Sequence, residues 1–230
     1  MNYSIQKCSN MDDIFPKSFK RLKGMPDLVY YQGDISILSN EKCVAIVGSR
    51  DCSQEGLEFS RRAGQIAADM GIVVVNGLAL GCDTAALIGA LEAGGKCVAI
   101  LPGGLNHITP KSNIELANRI LDAGGCLISE YESDFLPQRY TYVQRDRLQS
   151  AVSQGVLVIE SRIDGGTMHT VDAAIKQNKK LAAYADALLN NSGNKSIIDR
   201  GNAAISDEKG LKDFYISLKN DMDWEQLSLF

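Results

Sequence analysis

Residues 43–50, with the sequence Cys-Val-Ala-Ile-Val-Gly-Ser-Arg, constrain the fold more than any other stretch of the chain. A short apolar run rich in β-branched side chains is typical of a strand buried on both faces of a parallel sheet. Gly48 lets the backbone turn sharply, so Ser49 and Arg50 are predicted at the carboxyl end of this strand, where open α/β sheets bind their ligands. Free amide groups at the start of the next helix, together with an arginine side chain, would suit a phosphate group there.

The same unit, a short apolar run followed by a helical pattern, recurs along the chain. Strands are predicted at residues 28–31, 43–47, 72–75, 97–101, 126–129, 156–159 and 180–184, the last of the series. Helices are predicted at residues 53–70, 83–93, 112–123, 143–153 and 167–177, with an irregular loop at 131–142. Asp83 is predicted as an N-cap, and Ser112 with Glu115 as a capping box. Alternating strands and helices of this length predict an α/β fold with a doubly wound, mostly parallel sheet.

A length of 230 residues with 45% hydrophobic content is enough for one core with small appendages. We predict an N-terminal extension at residues 1–40, a single domain at 41–205 and an acidic C-terminal segment at 206–230. The sequence has no apolar run near the roughly 18 residues of a membrane span and no signal-peptide pattern, which predicts a cytoplasmic protein. Its six cysteines lack paired close spacing and are interpreted as small core residues, not as a disulfide framework or metal site.

Sequence signatures of the common nucleotide enzymes are missing. A dinucleotide site needs G-x-G-x-x-G after the first strand and an acidic residue ending the second, where this chain has Gly48-Ser49-Arg50 and Val75-Asn76. No P-loop string, G-x-x-x-x-G-K-[ST], occurs, so NAD and ATP are not expected and no cofactor is predicted. The sequence also lacks the hydrolase patterns G-x-S-x-G and H-E-x-x-H. His107 and His169 are therefore interpreted as surface or capping residues.

A cluster of arginines and tyrosines follows the predicted irregular loop. Residues 139–142, Arg-Tyr-Thr-Tyr, and 144–147, Gln-Arg-Asp-Arg, place three arginines and two tyrosines within nine residues. This composition suits a single nucleic-acid strand, because arginines meet phosphates and exposed rings stack on unpaired bases. A solvated helix start with tyrosines packed beneath it fits the spacing equally well. The net charge of -4 excludes neither alternative, since a local basic cleft can form on an acidic protein.

Loop motifs recur through the chain in a definite order. They lie at residues 44–50, 76–86, 89–96, 129–131, 145–147, 158–160 and 165–167, with weaker ones at 192–194 and 201–203. Together they resemble the bacterial DNA-processing protein A (Smf) family. The resemblance covers residues 12–205, and the order and spacing of so many motifs make it specific.

The resemblance implies a Rossmann-like domain that binds single-stranded DNA without a cofactor, forms a homodimer and helps to load a RecA-type recombinase during transformation. It assigns phosphate contacts to Arg50, Arg145 and Arg147, and base stacking to Tyr142. The full set of nucleic-acid-binding residues that it implies is Gly48, Ser49, Arg50, Gly77, Arg139, Tyr142, Arg145, Arg147, Gly165, Gly166 and Thr167. The amides of the last three residues are expected to hold a phosphate.

Two departures from the family pattern affect these expectations. Asp146 stands where the family usually has asparagine, which adds a negative charge among the arginines. The family's N-terminal helical domain and C-terminal winged helix have no counterpart in the sequence, so a minimal core form is expected. The process served, whether transformation, general recombination or a phage or plasmid function, is left open.

A second resemblance provides an alternative function. Residues 101–104, Leu-Pro-Gly-Gly, resemble the P-G-G-x-G-T-x-x-E motif of nucleoside-monophosphate phosphoribohydrolases, which are enzymes of related fold. Asn106 and His107 replace the glycine and threonine of that motif, and no glutamate follows at the required place. Such an enzyme, or a nucleotide-sensing domain of that fold, is the alternative to a DNA-binding protein.

The last five residues, 226–230, read Gln-Leu-Ser-Leu-Phe. They resemble the sliding-clamp-binding motif of bacterial replication and repair proteins. Leu227, Leu229 and Phe230 could insert into a hydrophobic groove on the clamp, while the Gln226 side chain forms hydrogen bonds that set the register. Alternatively, Leu227 and Phe230 pack with Trp224 onto the domain's own core.

Overall fold

The computed structural model describes residues 3–185 and 191–218. Within them, nine strands form one sheet. The strands are β1 (Gln6–Ser9), β2 (Leu28–Gly33), β3 (Cys43–Val47), β4 (Val73–Asn76), β5 (Cys97–Ile100), β6 (Cys126–Ser129), β7 (Gly155–Val158), β8 (Lys180–Tyr184) and β9 (Ala203–Ile205). The helices are α1 (Lys17–Lys20), α2 (Ile37–Asn40), α3 (Gln54–Asp69), α4 (Cys82–Glu92), α5 (Ile114–Asp122), α6 (Arg139–Val152), α7 (Thr167–Lys176), α8 (Ser192–Asp199) and α9 (Glu208–Ser217).

The strands are arranged in the order β1-β2-β6-β5-β4-β3-β7-β8-β9. The strands from β6 to β9 in that order are parallel, whereas β1 and β2 pair in antiparallel fashion. The chain adds strands on one side of β3 and then crosses to the other side at β7. The prediction of a doubly wound, Rossmann-like and mostly parallel sheet is confirmed. Because neighbouring connections leave in opposite directions, a crevice opens at the carboxyl ends of β3 and β7.

Both faces of the sheet are covered, which explains why the central strands are almost uniformly apolar. Val44 and Ile46 of β3 pack in the cluster formed with α3, α4, α5 and α9. Ala45 and Val47 point to the other face, where they pack against α7 and α8. Every residue of β3 is buried. The period-two alternation of the strand therefore distributes one apolar run between two separate cores.

The two largest helices on one face, α3 and α4, are in backbone contact. A Cβ atom at Gly64 would overlap the carbonyl oxygen of Ala86, and a Cβ atom at Gly89 would overlap that of Arg61. Glycine at these two positions is what permits the close crossing. The packing places the start of α4 directly beside the loop that leaves β3.

Segments predicted outside the main domain pack against the two faces of the same sheet. β1 and β2 extend the sheet beyond β6, and Phe15 and Phe19 are fully buried beneath α6. At the other end, α9 buries Phe214 and Tyr215, and the Tyr215 hydroxyl donates a hydrogen bond of 2.9 Å to the carbonyl of Ala63. Residues before position 40 and after position 205 therefore take part in the packing of the sheet. Residues 226–230 lie outside the described part of the chain.

Four local predictions were wrong. Asp83 lies inside the first turn of α4, and Gly81 occupies the N-cap position. The Ser112–Glu115 capping box does not form, because a 3₁₀ turn, Lys111–Asn113, precedes α5. Helix α6 begins earlier than predicted, since the Thr141 hydroxyl accepts a hydrogen bond of 3.1 Å from the amide of Gln138 and so caps the helix. β8 is not the last strand, because β9 pairs with it.

Five of the six cysteines are buried and Cys52 is partly buried, and all six are free thiols. Their interpretation as small core residues is confirmed for the buried five. In the part of the chain that the structure covers, we find no helix with the length and apolar character needed to span a bilayer.

Candidate nucleic-acid interface

The loop of Gly48, Ser49 and Arg50 is held between the end of β7 and the start of α4. The Ser49 amide donates a hydrogen bond of 2.7 Å to the carbonyl of Glu160, and the Ser49 carbonyl accepts one of 3.2 Å from the amide of Cys82. A Cβ atom at Gly48 would come within 2.7 Å of the Cys82 Cβ, so the backbone requires glycine here. These contacts fix the loop while Arg50 stays exposed at the mouth of the crevice.

Arg50 meets Tyr142 across the crevice. Its guanidinium carbon lies 5.2 Å from the centre of the Tyr142 ring, which is the geometry of a cation–π contact. Arg139 and Tyr140 lie on the same first turn of α6, and Tyr140 is 55% exposed. Arg139, three residues before Tyr142, lies on the same side of α6 as Tyr142, whereas Tyr140, two residues before it, projects to another side. The structure thus brings together residues that are far apart in sequence.

The predicted phosphate site at the start of α3 is already occupied by protein groups. The Ser53 hydroxyl accepts a hydrogen bond of 2.9 Å from the Gly56 amide, and the Ser53 amide donates one of 3.0 Å to the Glu160 carboxylate. The Ser53 hydroxyl also donates a hydrogen bond to the other Glu160 oxygen. A buried carboxylate here already supplies the negative charge that the helix N-terminus favours. Two amides at this helix start, those of Ser53 and Gly56, are therefore not free for a phosphate.

Arg145 lies in the interior beneath the crevice, although the sequence predicted it as a phosphate ligand. Its side chain is only 7% exposed, and its Nη1 atom donates a hydrogen bond of 3.0 Å to the carbonyl of Ile100 at the end of β5. A Cβ atom at Gly77 would overlap the guanidinium group, so Gly77 provides the space that Arg145 fills. In this structure Arg145 therefore supports the ends of β4 and β5 instead of presenting a charge at the surface.

Two buried carboxylates share the Arg145 charge. The Asp146 Oδ1 atom lies 2.9 Å from Arg145 Nε, and the Asp146 side chain is 13% exposed. Burial raises the pKa of Asp146 to about 6, with a further contribution from the negative charge of Asp83, although Arg145 opposes the shift. Burial also raises the pKa of Asp83, again against the attraction of Arg145. The Asp146 side chain is therefore enclosed beside Arg145, but its charge still acts on Arg50 at the crevice.

Asp83 organises the loop after β4. Its Oδ2 atom accepts hydrogen bonds from the amides of Gly77, at 3.0 Å, and Ala79, at 3.4 Å. The Asn76 side chain accepts a hydrogen bond of 3.0 Å from the amide of Leu78, whose positive φ of 58° is unusual for leucine. Gly77 thus belongs to a rigid loop under the crevice, not to its exposed lining.

Arg147 is partly exposed and paired. Its Nη2 atom forms an ion pair with Glu130, and the arginine side chain is 26% exposed. Burial raises the pKa of Glu130, while the Arg147 charge opposes that shift. The backbone of Arg147 lies against the end of α7, since Gln177 donates a hydrogen bond of 3.0 Å to the Arg147 carbonyl.

Gly165, Gly166 and Thr167 form the approach to α7. Gly166 is exposed and occupies the N-cap position of this helix, and Thr167 is its first residue. The preceding loop is anchored by Asn194, which accepts a hydrogen bond of 2.9 Å from the Ser161 amide and donates one of 2.9 Å to the carbonyl of Tyr184. The three residues are thus held at the same edge of the sheet as Arg50.

The Leu-Pro-Gly-Gly segment at residues 101–104 is covered. All four residues are buried. The Gly104 amide donates a hydrogen bond of 2.8 Å to the carbonyl of Phe135, and a Cβ atom at Gly104 would overlap the backbone of Glu132 and Ser133. A phosphoribohydrolase would need this segment to face a nucleotide, so the geometry does not favour that alternative.

The polar residues that hold this edge were not predicted individually from the sequence. Asn76, Asp83, Glu160 and Asn194 lie in the loop motifs, but a motif alone does not show which carbonyls and amides each side chain meets. The feature of the sequence that could have identified these residues is their position, since each lies just after a predicted strand or early in a helix. Among the described residues, no cluster of histidine, cysteine and acidic side chains is arranged to hold a metal ion.

The fold and the crevice define a class of protein, a Rossmann-like α/β domain with arginine and tyrosine where the strand order reverses, between β3 and β7. A dinucleotide-binding enzyme would carry the sequence G-x-G-x-x-G at this position. Residues 7–216 match the family model of DNA recombination-mediator protein A. The chain belongs to this family.

Three relatives illustrate the extent of the similarity. DNA processing protein DprA of Streptococcus pneumoniae is 32% identical over 181 residues, or 79% of this chain, and Protein Smf of Escherichia coli is 32% identical over 171 residues, or 74%. The chain spans 63% and 46% of the length of these two proteins. The solved S. pneumoniae structure has a TM-score of 0.85 at 28% identity and covers 94% of this chain and 75% of that one. DNA processing protein A of Helicobacter pylori, solved in work on its single-stranded DNA binding mode, has a TM-score of 0.82 at 28% identity, with 94% and 96% coverage.

Proposed function

We propose that this protein binds single-stranded DNA, with little sequence preference and without a cofactor, in the crevice at the carboxyl ends of β3 and β7. The observation that carries the proposal is the contact of the exposed Arg50 guanidinium with the Tyr142 ring. Arg139 and Tyr140 stand beside this pair on α6. Arginines meet backbone phosphates, and aromatic faces stack on unpaired bases of any identity.

Exposure distinguishes this function from a merely structural role for the tyrosines. If the tyrosines only packed beneath a solvated helix start, both rings would be covered. Tyr140 instead has more than half of its surface open to solvent, and Tyr142 is only partly buried. A duplex keeps its bases stacked inside, so rings at the mouth of a crevice favour a single strand. The single-stranded DNA binding mode of the H. pylori relative supports the same choice.

Arg50→Ala and Tyr142→Ala are expected to weaken single-stranded DNA binding in distinguishable ways. Loss of the Arg50 charge removes about one phosphate contact, so the slope of log K against log salt becomes shallower by about 0.7. Loss of the Tyr142 ring removes stacking worth about 1–3 kcal/mol, with little change in that slope. Fluorescence anisotropy with short labelled oligonucleotides across a salt series measures both effects.

Two controls accompany that titration. Arg62→Ala removes an arginine of the exposed pair with Glu208, away from the crevice, and should bind as the wild type does. Tyr142→Phe keeps the ring and should retain most of the affinity. Normal binding by Arg50→Ala, or equal wild-type affinity for duplex and single strand, would exclude the proposed site.

We further propose that the bound strand is delivered to a RecA-type recombinase, that the active species is a homodimer, and that the process served is transformation. Membership of a family described as a recombination mediator supports delivery to a recombinase. The relatives named DNA processing proteins support a role in DNA processing.

We also propose that the segment Gln226–Phe230 binds the bacterial sliding clamp and so tethers the DNA-binding domain to replicating DNA. The support is the sequence Gln-Leu-Ser-Leu-Phe, which offers three large apolar anchors and one amide side chain. Calorimetric titration with the clamp should show binding by the full chain and none by a chain truncated after Glu225. Equal binding by both chains, or loss of thermal stability on truncation with no clamp binding by either, would show that the segment is structural.

A further inference from the structure

A basic groove runs between α6 and α7 on the face of the sheet that also carries α1. Its volume is about 670 Å³. Six cationic residues line this basic groove: Arg21, Lys23, Arg147, Lys176, Lys179 and Lys180. They come from three separate segments of the chain, so the positive charge is spread along the groove. The carboxylate in the lining is that of Asp172.

This concentration of positive charge contrasts with the whole chain, whose net charge is -4. Neighbouring surface charges on an acidic protein are usually balanced by ion pairs. Throughout residues 3–185 and 191–218, however, we find no ion pair formed by Lys23, Lys176 or Lys180. Unpaired like charges repel one another in the free protein, and an anionic ligand removes that repulsion.

The basic groove begins where the proposed DNA site ends. Val143, which follows Tyr142 directly, lines it and is 44% exposed. Arg147 lies one helical turn further along α6, and Ala151 and Gln154 lie beyond it. Since Val143 and Ala151 are eight residues apart on α6 and each residue adds about 1.5 Å, the helix lines the groove over about 12 Å. It ends beside Lys180, at the amino end of β8.

The lining is suited to a phosphate backbone and not to stacked bases. Its apolar residues are small or aliphatic, namely Leu22, Val143, Ala151 and Ala173, and the only aromatic ring in its lining is the imidazole of His169. Small aliphatic surfaces can accept sugars, whereas lysines act as mobile point charges that follow phosphates without regard to sequence. The Tyr142 ring lies at the mouth, beside Arg50, where base stacking is proposed.

We propose that the basic groove is a second binding segment for the same DNA strand, which leaves the Arg50–Tyr142 crevice and continues along α6 toward Lys180. The proposal rests on the proposed function, because the strand must first enter the crevice. It predicts that a short oligonucleotide occupies the crevice alone, while a longer one gains additional phosphate contacts in the groove.

The test compares two oligothymidylates, of about 4 and about 16 nucleotides, which span the range of single-strand site sizes. The variant combines Lys176→Glu with Lys180→Glu, two exposed positions that leave the core intact. The control combines Lys209→Glu with Lys212→Glu on α9, which packs on the opposite face of the sheet. It changes the net charge of the protein by the same amount as the groove variant does. Circular dichroism melting checks that both variants remain folded.

The expected result is specific to length. For the longer oligonucleotide the groove variant should bind at least about tenfold more weakly at low salt, with a salt slope shallower by about 1.4 for two lost contacts. The shorter oligonucleotide should bind groove variant, control variant and wild type alike. If the groove variant binds the longer strand as tightly as the wild type while Arg50→Ala remains impaired, the groove is not a DNA-binding segment. The proposed function would then still stand. Equal loss of affinity for both oligonucleotides in both charge variants would also contradict the proposed role of the groove. Absence of any binding by the wild type would overturn the proposed function itself.

Discussion

Replacement of Arg145 by methionine is expected to destabilise the fold by about 3–5 kcal/mol at neutral pH, the usual result of removing one partner of a buried ion pair. The guanidinium is almost inaccessible and lies between two buried carboxylates, those of Asp83 and Asp146. Methionine has a similar volume, so the substitution removes the charge and the hydrogen bond to the Ile100 carbonyl without leaving a large cavity. The two carboxylates would then be buried with no positive partner.

The pH dependence identifies the cause of this loss. Arg145 lowers the pKa of both Asp83 and Asp146, so its removal raises them further. The folded variant then binds protons that the unfolded chain has released, and its stability falls as the pH rises through the weakly acidic and neutral range. Urea unfolding at about pH 5 and about pH 8 should therefore show a larger loss at the higher pH.

Arg62→Met is the matched control for this measurement. Arg62 pairs with Glu208 at the surface, where both side chains are about half exposed, and such pairs contribute at most about 1 kcal/mol. If the two methionine variants are equally stable, or if the Arg145 variant loses the same stability at both pH values, the buried cluster is not electrostatically coupled as described.

Asp146→Asn is expected to have the opposite effect and to stabilise the protein at neutral pH. In the folded state the pKa of Asp146 is raised to about 6 from an ordinary value of 3.8. At about 1.4 kcal/mol per unit, ionisation of this group costs the fold up to about 3 kcal/mol once the pH exceeds the folded pKa. Asparagine has nearly the same shape and keeps an oxygen that can accept the hydrogen bond from Gln149. It also leaves Arg145 paired with Asp83 alone.

The sign of the pH dependence follows from the direction of the shift. Because the folded pKa lies above the unfolded one, wild-type stability relative to the variant is greatest below about pH 4 and declines as the pH rises to about 6. The gain from Asp146→Asn should therefore be close to zero near pH 4 and complete near pH 7, as determined by urea midpoints at both values. A gain that does not change with pH would contradict a charge-based origin and point to packing. Arg50 and Tyr142 are unaltered in this variant, and the loss of a negative charge that acts on Arg50 favours an anionic ligand, so its single-stranded DNA affinity should not fall below that of the wild type.

The repeating pattern of the chain was sufficient to predict the architecture. Apolar runs of four or five residues separated by helical stretches allow few arrangements other than a doubly wound parallel sheet, since both faces of each strand must be covered. Glycine and arginine after the run at residues 43–47 predicted the loop that leaves the carboxyl end of β3. Helix boundaries were less predictable: the start of α6 depends on one side-chain contact, between Thr141 and Gln138, that periodicity does not reveal.

The sequence by itself determined the fold class, the edge of the sheet that carries the functional loops, and the residue types available there. Only the tertiary structure decided which arginine faces solvent. The sequence does not distinguish the environments of Arg50, Arg145 and Arg147. In the structure, Arg50 lies over a tyrosine ring, Arg145 is enclosed between carboxylates, and Arg147 is paired with Glu130. The physical reason is that the state of a charged group is set by the neighbours that desolvate or pair it, and these come from strands and helices far away in sequence. The basic groove has the same origin, because its lysines and arginines belong to three segments that only packing brings together.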